Sequence, residues 1–307
     1  MDPQVSIALP VYNGEKFIEH TIKSVLDQDY NDLELIITDN RSTDRTKEIC
    51  LDLAEADPRI RYVENPRNLG AAPNYNAGYE LARGKYLKWS AHDDLISPNF
   101  ISATVAALEK NPDASLAFGR TICIDSDGNE FPGEDHNETQ AILEDEPHVR
   151  FHRAIVESGT CFPIFGLFRM DLLRKSTLHR SYYGSDRALI AETALLGKCL
   201  LVDEAIFYNR EHSDRSIRIE DLAERRRWQD TSASRGAVME HVNLLRHLFE
   251  IARRHPDVVR RDRAVAQVMK VALKRKQLGR IALDFIRYAS PKTAAALRQR
   301  LVANPNH

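Results

Sequence analysis

Short apolar runs alternate with longer amphipathic segments through the first half of this chain. The runs at 5–11, 33–38, 59–65, 85–90 and 114–124 are rich in strand-forming residues and are interpreted as buried strands. The segments between them carry apolar residues at helical spacing, as in EKFIEHTIKSVLDQ. Because crossover connections join strands that alternate with helices, the pattern predicts an α/β fold with a mainly parallel twisted sheet flanked by helices.

Individual residues indicate where the predicted helices begin and end. The run Ser42–Asp44 offers N-cap residues for the helix after the second strand. Ser97 as the cap and Pro98 as the first residue predict a helix over 97–111. Gly84 predicts the end of the helix that the turn at 68 introduces.

The last third of the chain has a different composition. From about residue 220 it is helical and rich in arginine, so we predict a sheet domain at 1–217 and a basic helical extension at 218–307. From Arg210 onward there are 22 Lys and Arg against 11 Asp and Glu, which leaves 21 against 34 in the preceding part. An acidic sheet domain does not suit a nucleic-acid groove, so no nucleic-acid partner is expected.

The segment 264–289 combines an apolar stripe with a basic face. We expect it to pack on the sheet domain or to pair two subunits as a homodimer. The alternative is peripheral contact with an anionic membrane surface. No run of about 18 apolar residues predicts a membrane span, and no C-x-x-C motif is present. We therefore expect a cytoplasmic protein. The alternative is a cytoplasmic protein in peripheral contact with the inner face of the membrane.

Polar residues follow several of the predicted strands at the point where each one ends. They are Asn13, Asp39, Asn65, Asp93 and Asp94. Ligands of mainly parallel sheets bind beyond the carboxyl ends of the strands, so these residues predict a site. Spacing alone leaves alternatives open. Asp93 and Asp94 are consistent with a divalent metal site or with a turn before the next helix.

Four segments, in this order and spacing, resemble the family 2 glycosyltransferases, which are inverting enzymes of the GT-A fold. The segments are VSIALPVYNGEKFIEHTIKSVLDQDY, LELIITDNRSTDRT, NPRNLGAAPNYNAGYELARGKYLKW and HDDLISPNF. The resemblance covers residues 4–212 and implies a GT-A-type sheet domain that binds a nucleotide sugar.

The resemblance implies a role for each matching residue of the nucleotide site. The first nucleotide-contacting loop corresponds to Pro10, Tyr12 and Asn13, and the acid that reads the base, usually uracil, corresponds to Asp39. The third loop near the nucleotide corresponds to Arg67 and Asn76.

The resemblance also implies a divalent metal site, for Mn²⁺ or Mg²⁺. Asp93 and Asp94 match the end of the family's metal motif, and Ala91 stands where its first aspartate is expected. Asp93 and Asp94 would therefore divide the ribose of the nucleotide and the metal between them, and the sequence leaves open which acid takes which role. His212, near the end of a strand at 200–207, is the candidate to approach the diphosphate or the metal.

The resemblance further places a catalytic base at Asp186, with Ser185 in place of the family's usual glutamate. The alternative for Asp186 is an N-cap of the following helix. The predicted function is transfer of a sugar from a UDP-sugar to a hydroxyl of a glycan, a lipid-linked glycan or a small acceptor. The alternatives are a sugar-nucleotide-binding protein with weak or no turnover, and a nucleotidyltransferase.

Overall fold

A computed structural model describes residues 2–131, 140–157, 161–232 and 239–289, except the side chain of Ile217. The end of the predicted helical extension, 290–307, lies outside the described residues. Within them the strands are β1 (Val5–Val11), β2 (Leu33–Asp39), β3 (Ile60–Glu64), β4 (Tyr86–Trp89), β5 (Leu95–Ile96), β6 (Ala114–Ile124), β7 (Leu167–Arg169) and β8 (Lys198–Arg210).

The helices surround this sheet and continue past it. They are α1 (Ile18–Leu26), α2 (Thr46–Ala56), α3 (Ala71–Leu81), α4 (Phe100–Lys110), α5 (Pro147–Glu157), α6 (Met170–Leu173), α7 (Ser185–Leu196), α8 (Leu222–Gln229), α9 (Glu240–Arg254), α10 (Arg261–Ala272) and α11 (Arg275–Ala289). No helix of the described residues is both long and apolar enough to cross a membrane.

The strands form one sheet in the order β3-β2-β1-β4-β7-β6-β8-β5. β1 runs parallel to β2 and β4, β2 runs parallel to β3, and β6 runs parallel to β8. β7 is antiparallel to both of its neighbours, and β5 is antiparallel to β8. The predicted α/β fold with a mainly parallel sheet is thus confirmed, with two short antiparallel strands that the sequence pattern missed.

Both faces of the sheet are covered, as a mainly parallel sheet requires. Every residue of β1 is buried. Val5 and Leu9 belong to an apolar cluster with α1 and α4, whereas Ala8 belongs to a second cluster with α5, α7, α9 and α10. Successive side chains of a strand point to opposite faces, so β1 contributes to both layers of the core.

The C-terminal helices pack onto this second cluster. Leu248 and Ile251 of α9 and Val268 of α10 are buried with Phe151 of α5 and Leu195 of α7. The buried apolar residues of α9 and α10 therefore face the sheet domain.

Two predicted helix boundaries were wrong. α4 begins at Phe100 rather than at Pro98, because the Ser97 hydroxyl accepts from the Ile206 N–H at 3.0 Å and donates to Asn99 at 2.8 Å instead of capping the helix. α3 ends at Leu81, three residues before Gly84. A Cβ on Gly84 would lie 2.7 Å from the backbone nitrogen of Ser6, so the glycine permits close contact of two chain segments.

Candidate active site

The carboxyl ends of the first four strands meet at one edge of the sheet. Backbone hydrogen bonds join the residues that follow them. The Asn40 N–H donates to the Val11 carbonyl at 2.8 Å, and the Asn65 N–H donates to the Asp39 carbonyl at 2.8 Å. The Ser90 N–H donates to a β1 carbonyl at 2.9 Å. The loops that carry most of the predicted site residues therefore start side by side.

The first predicted loop, Pro10 to Asn13, is linked to the loop after β2. Pro10 is buried within β1, and Tyr12 is 44% exposed. Asn13 has a φ of 52°, a left-handed conformation in which asparagine is enriched. Its N–H donates to the Ser42 hydroxyl at 2.9 Å and its Oδ1 accepts from the Thr43 N–H at 2.8 Å. Asn13 thus holds two loops together, while Tyr12 presents its ring to solvent.

Asp39 is fully buried at the end of β2. Its Oδ1 accepts from the Ser42 N–H at 2.9 Å and from the Ser42 hydroxyl at 2.7 Å, and its Oδ2 accepts from the Tyr62 hydroxyl at 2.5 Å. Burial, together with the bond to Asp39, raises the pKa of Tyr62, so its hydroxyl remains a donor. The sequence reasoning missed Tyr62, because a single tyrosine in a strand carries no pattern.

A cluster of buried asparagines fixes the third loop, between β3 and α3. The Asn65 side-chain amide donates to Asn40 at 3.1 Å and to Asn74 at 2.7 Å. The Asn40 amide donates to the Gly70 carbonyl at 3.0 Å, and its oxygen accepts from the Leu69 N–H at 2.9 Å. Asn65 was noted at the strand end, but this structural role follows from contacts across the sheet edge.

The two residues predicted in the third-loop region have different surroundings. Arg67 is exposed, and its guanidinium donates to the Thr231 hydroxyl at 3.3 Å. Asn76 is bound to the loop before α7, since its amide donates to the His179 carbonyl at 2.9 Å and accepts from the His179 N–H at 3.2 Å. A nucleotide-binding role for either residue remains a prediction.

The two acids after β4 meet the end of β8. The imidazole Nε2 of His212 lies 2.8 Å from Oδ2 of Asp93. The Arg210 N–H donates to Oδ1 of Asp94 at 2.8 Å, and the Arg210 guanidinium donates to the Asp93 carbonyl at 2.8 Å. The structure thus brings together the three predicted metal-site residues, although His212 lies 119 positions beyond Asp93.

The two acids have opposite electrostatic environments. Burial and the charge of Asp93 raise the pKa of Asp94 well above its usual value. Burial also opposes ionisation of Asp93, but His92 and the hydrogen bond from His212 outweigh it and lower the pKa of Asp93. Burial also lowers the pKa of Lys88, on β4, to about 7, although the charge of Asp94 acts to raise it. Two adjacent carboxylates of this kind ionise together only if additional positive charge arrives.

Asp186 is the second residue of α7 and follows Gly184, which has a left-handed φ of 86°. It is not the N-cap, because Gly184 occupies that position and makes no side-chain cap bond. Burial raises the pKa of the Cys161 thiol, and the Asp186 carboxylate adds to that rise. Burial raises the pKa of Tyr75, and the charges of Asp93, Asp94 and Asp186 add to that rise. The charges of all three acids therefore favour the neutral form of the Tyr75 hydroxyl.

A buried network holds the segment that leads into α7. Glu192, on α7, accepts from the Thr177 N–H at 2.7 Å and hydroxyl at 2.6 Å, and from His255 at 2.7 Å. Nε2 of His247 on α9 contacts the Thr177 hydroxyl at 2.7 Å, and its Nδ1 contacts the Tyr182 hydroxyl at 2.8 Å. The sequence pattern does not indicate these partners of Glu192 on α9 and beyond.

The chemistry of the acid pair suits a hard divalent cation only in part. Carboxylate oxygens are the ligands such cations prefer. Across the residues that the structure describes, no group of three or more His, Cys, Asp or Glu side chains is arranged to hold a metal ion. Asp93 and Asp94 would therefore supply part of a coordination shell, and ligand oxygens and water would supply the rest.

Comparison with known proteins identifies the class. The fold is that of GT-A nucleotide-sugar transferases. It superimposes on S. aureus TarS 1-349 in complex with UDP-GlcNAc with a TM-score of 0.62 at 16% identity, over 97% of this chain and 84% of that one. The mannosyltransferase PcManGT from Pyrobaculum calidifontis, in complex with GDP-Man and Mn²⁺, gives a TM-score of 0.53 at 15% identity, over 97% and 87%.

The sequence comparisons then give the family. The model of glycosyl transferase family 2 matches residues 6–176, so the chain belongs to that family. It is 27% identical to the glycosyltransferase GlyG of Streptococcus pneumoniae, over 72% of this chain and 75% of GlyG. It is 28% identical to the GalNAc(5)-diNAcBac-PP-undecaprenol beta-1,3-glucosyltransferase of Campylobacter jejuni, over 61% of this chain and 58% of that enzyme.

Proposed function

We propose that the protein transfers one sugar from a nucleotide diphosphate sugar, with UDP as the preferred nucleotide, to an acceptor hydroxyl with inversion at the anomeric carbon. The main supporting observation is the contact of Asp93 with His212 beside Asp94 at the strand ends, where the loops after β1, β2 and β3 also begin. The nucleotide would lie along these loops, between Tyr12 and Arg67, and its diphosphate would reach the acid pair.

The metal in this proposal is Mn²⁺ or Mg²⁺, held in part by Asp93 and Asp94, with His212, which contacts Asp93 at 2.8 Å, placed to approach the diphosphate or the metal. A bound cation of this kind supplies positive charge that stabilises the departing diphosphate. The raised pKa of Asp94 and the proximity of two carboxylates fit a site where a bound cation would stabilise the ionised form of both acids. The complex of PcManGT with Mn²⁺ supports the same assignment.

Asp186 is the proposed catalytic base. It would accept the proton of the acceptor hydroxyl as that oxygen forms a bond to the anomeric carbon. The bond from the anomeric carbon to the diphosphate oxygen breaks at the same time, and the nucleoside diphosphate leaves on the opposite face. The position of Asp186 at the start of α7, where its charge and those of the acid pair all raise the pKa of Tyr75, supports this role.

The acceptor in this proposal is a glycan, a lipid-linked glycan or a small hydroxyl compound in polysaccharide biosynthesis, handled at the cytoplasmic side of the membrane. The name of the Campylobacter jejuni relative, which acts on an undecaprenol-linked glycan, supports a lipid-linked acceptor. Residues 1–217 would bind the donor and carry the chemistry, and the helices after residue 217 would border the acceptor side.

The experiment is calorimetric titration with UDP, GDP and their sugar conjugates, with and without Mn²⁺ or Mg²⁺, followed by donor turnover. We expect metal-dependent binding of a uridine nucleotide. Asp186→Asn should retain that binding and lower turnover by roughly 100-fold or more, the usual contribution of a general base. The matched control is Asp171→Asn, an exposed acid in the first turn of α6.

Two outcomes would change the proposal. If no nucleotide binds in a metal-dependent way, the transferase assignment fails. If the nucleotide binds but the wild-type chain shows no donor turnover, the second candidate holds, a sugar-nucleotide-binding protein. Ala91 and Ser185, which replace two acids of the family pattern, favour that candidate.

A further inference from the structure

Exposed apolar side chains are concentrated on α10, α11 and the turn between them. Leu273, Phe285 and Tyr288 are each more than half exposed, at 63%, 54% and 65%, and Met269 and Leu278 are exposed as well. Isolated exposed apolar residues are common, but a group of this kind on adjoining helices marks an interaction surface. We call residues 269–289 the α10–α11 surface.

Four exposed residues of α11 share one face of the helix. Leu278, Ala282, Phe285 and Ala289 follow one another at intervals of four, three and four positions, which is helical spacing, and all are exposed. The opposite face is attached to the protein. Asp284 is fully buried, and its carboxylate accepts from the N–H groups of His241 and Val242 at the start of α9.

The α10–α11 surface is also strongly basic. Its cations are Lys270, Lys274, Arg275, Lys276, Arg280 and Arg287. The acid in this segment is Asp284, which is buried and paired with His241 at 3.2 Å and with Arg287 at 3.7 Å. No carboxylate within residues 269–289 is therefore exposed to balance the flanking lysines and arginines.

We propose that the α10–α11 surface docks on an anionic lipid surface, with α11 lying in the plane of the membrane. Exposed apolar side chains would enter the boundary between headgroups and acyl chains, and the flanking cations would contact the headgroups. Tyr288, which is apolar with a polar tip, suits that boundary. An in-plane contact is consistent with the lack of a spanning helix among the described residues.

The charge of the surface argues against a second copy of the chain as the occupant. In a symmetric dimer the same patch is presented by both subunits, so its net positive charge would face the same net positive charge. Like charges across an interface oppose association, whereas an anionic membrane neutralises them. This proposal does not depend on the transfer reaction, because none of its residues belongs to the proposed active site.

The test is flotation of the full chain with vesicles of phosphatidylcholine alone or mixed with phosphatidylglycerol, at low and high salt. We expect binding to the mixed vesicles only, weakened by salt. Phe285→Ser and the triple variant K274E/R275E/K276E should each lower the bound fraction by roughly tenfold or more. Leu51→Ser and Lys110→Glu, exposed residues on α2 and α4, are the matched controls and should bind like the wild type.

Folding and oligomeric state are checked on the same samples by circular dichroism and light scattering. Equal binding to neutral vesicles, or unchanged binding of folded Phe285→Ser, would overturn the proposal. A dimer that Phe285→Ser dissociates would assign the surface to a second copy. A chain that ends at Ala289 and binds vesicles where the full chain does not would assign it to residues 290–307. Either result also overturns the proposal.

Discussion

Glu192 offers the sharpest test of how the helical C-terminal region supports the segment before Asp186. Its side chain is fully buried on α7 and accepts three hydrogen bonds, two from Thr177 and one from His255. Because an ionised carboxylate only accepts, the Thr177 hydroxyl must donate to it. That hydroxyl then accepts from Nε2–H of His247, which leaves Nδ1 to accept from the Tyr182 hydroxyl. Glu192 therefore sets the direction of the whole chain of bonds.

We predict that Glu192→Ala lowers the free energy of unfolding by about 3–5 kcal/mol, the usual effect of removing one partner from a buried charged network. Three donors lose their acceptor, and each buried unsatisfied donor costs about 1–3 kcal/mol. The Thr177 hydroxyl can rotate toward another acceptor, so the sum is not reached. Such a loss is a large part of the 5–15 kcal/mol typical of a folded protein.

Glu192→Gln is the matched variant, because it keeps the shape of the side chain. Its amide oxygen can still accept both bonds from Thr177, and its NH₂ group can donate to His255 once that imidazole carries its proton on Nδ1. We expect a loss of only about 1 kcal/mol. Glu250→Gln removes an exposed ion pair with Arg180 and should cost less than about 1 kcal/mol.

The measurements are urea unfolding followed by circular dichroism, together with nucleotide titration on each folded variant. Glu192→Ala should bind nucleotide like the wild type at temperatures where it is folded, because the hydrogen-bond partners of Glu192, Thr177 and His255, lie outside the loops after β1, β2 and β3. Its donor turnover to acceptor should fall, because Tyr182 and the segment before Asp186 lose their support. A loss of stability no larger than that of Glu250→Gln would refute the reasoning.

Three further predictions concern single contacts. Burial lowers the pKa of His179 to about 4. The folded chain therefore takes up that proton at a lower pH than the unfolded chain, and it loses up to roughly 3 kcal/mol of stability as the pH falls from about 6.5 to 4. His179→Phe should remove that part of the stability loss in acid, as measured by unfolding at several pH values, and an unchanged dependence of stability on pH would contradict the prediction. Gly84→Ala should lower the free energy of unfolding by about 1–3 kcal/mol, because its Cβ would lie 2.7 Å from the backbone of another segment. Gly279→Ala has open space around its Cβ and should be neutral or stabilising. Thermal melts of the two variants measure this difference. Tyr62→Phe removes the donor to Oδ2 of Asp39 and should cost about 1–3 kcal/mol in urea unfolding, and a neutral effect would contradict a stabilising role for that bond.

Local patterns predicted the parts of the fold that local patterns control. The buried runs became β1 to β4 and β6 because each is long enough to show its apolar character. β5 and β7 have two and three residues and exist only through pairing with distant strands, at Tyr208 and Lys88 for example. The start of α4 was mispredicted for the same reason, since Ser97 is engaged by Ile206, a residue 109 positions away.

The candidate site shows the same division between local and long-range information. Asp93 and Asp94 were noted at a strand end and the family resemblance added His212, and the pairing of β5 with β8 then brings the two acids to the end of β8. Tyr62 was missed, because its bond to Asp39 depends on how β3 lies against β2.

The C-terminal helices show what an amphipathic pattern leaves undecided. The pattern predicted helices after about residue 220 and an apolar stripe at 264–289, but a stripe does not specify what it covers. In the structure α9 buries Leu248 and Ile251 against α7 and also supplies His247 to the network around Thr177. The start of the same helix is hydrogen-bonded to Asp284 of α11. The opposite face of α11 therefore stays exposed and can contact a partner. The helices after residue 217 therefore complete the core beside Asp186 on one side and present a basic apolar surface on the other.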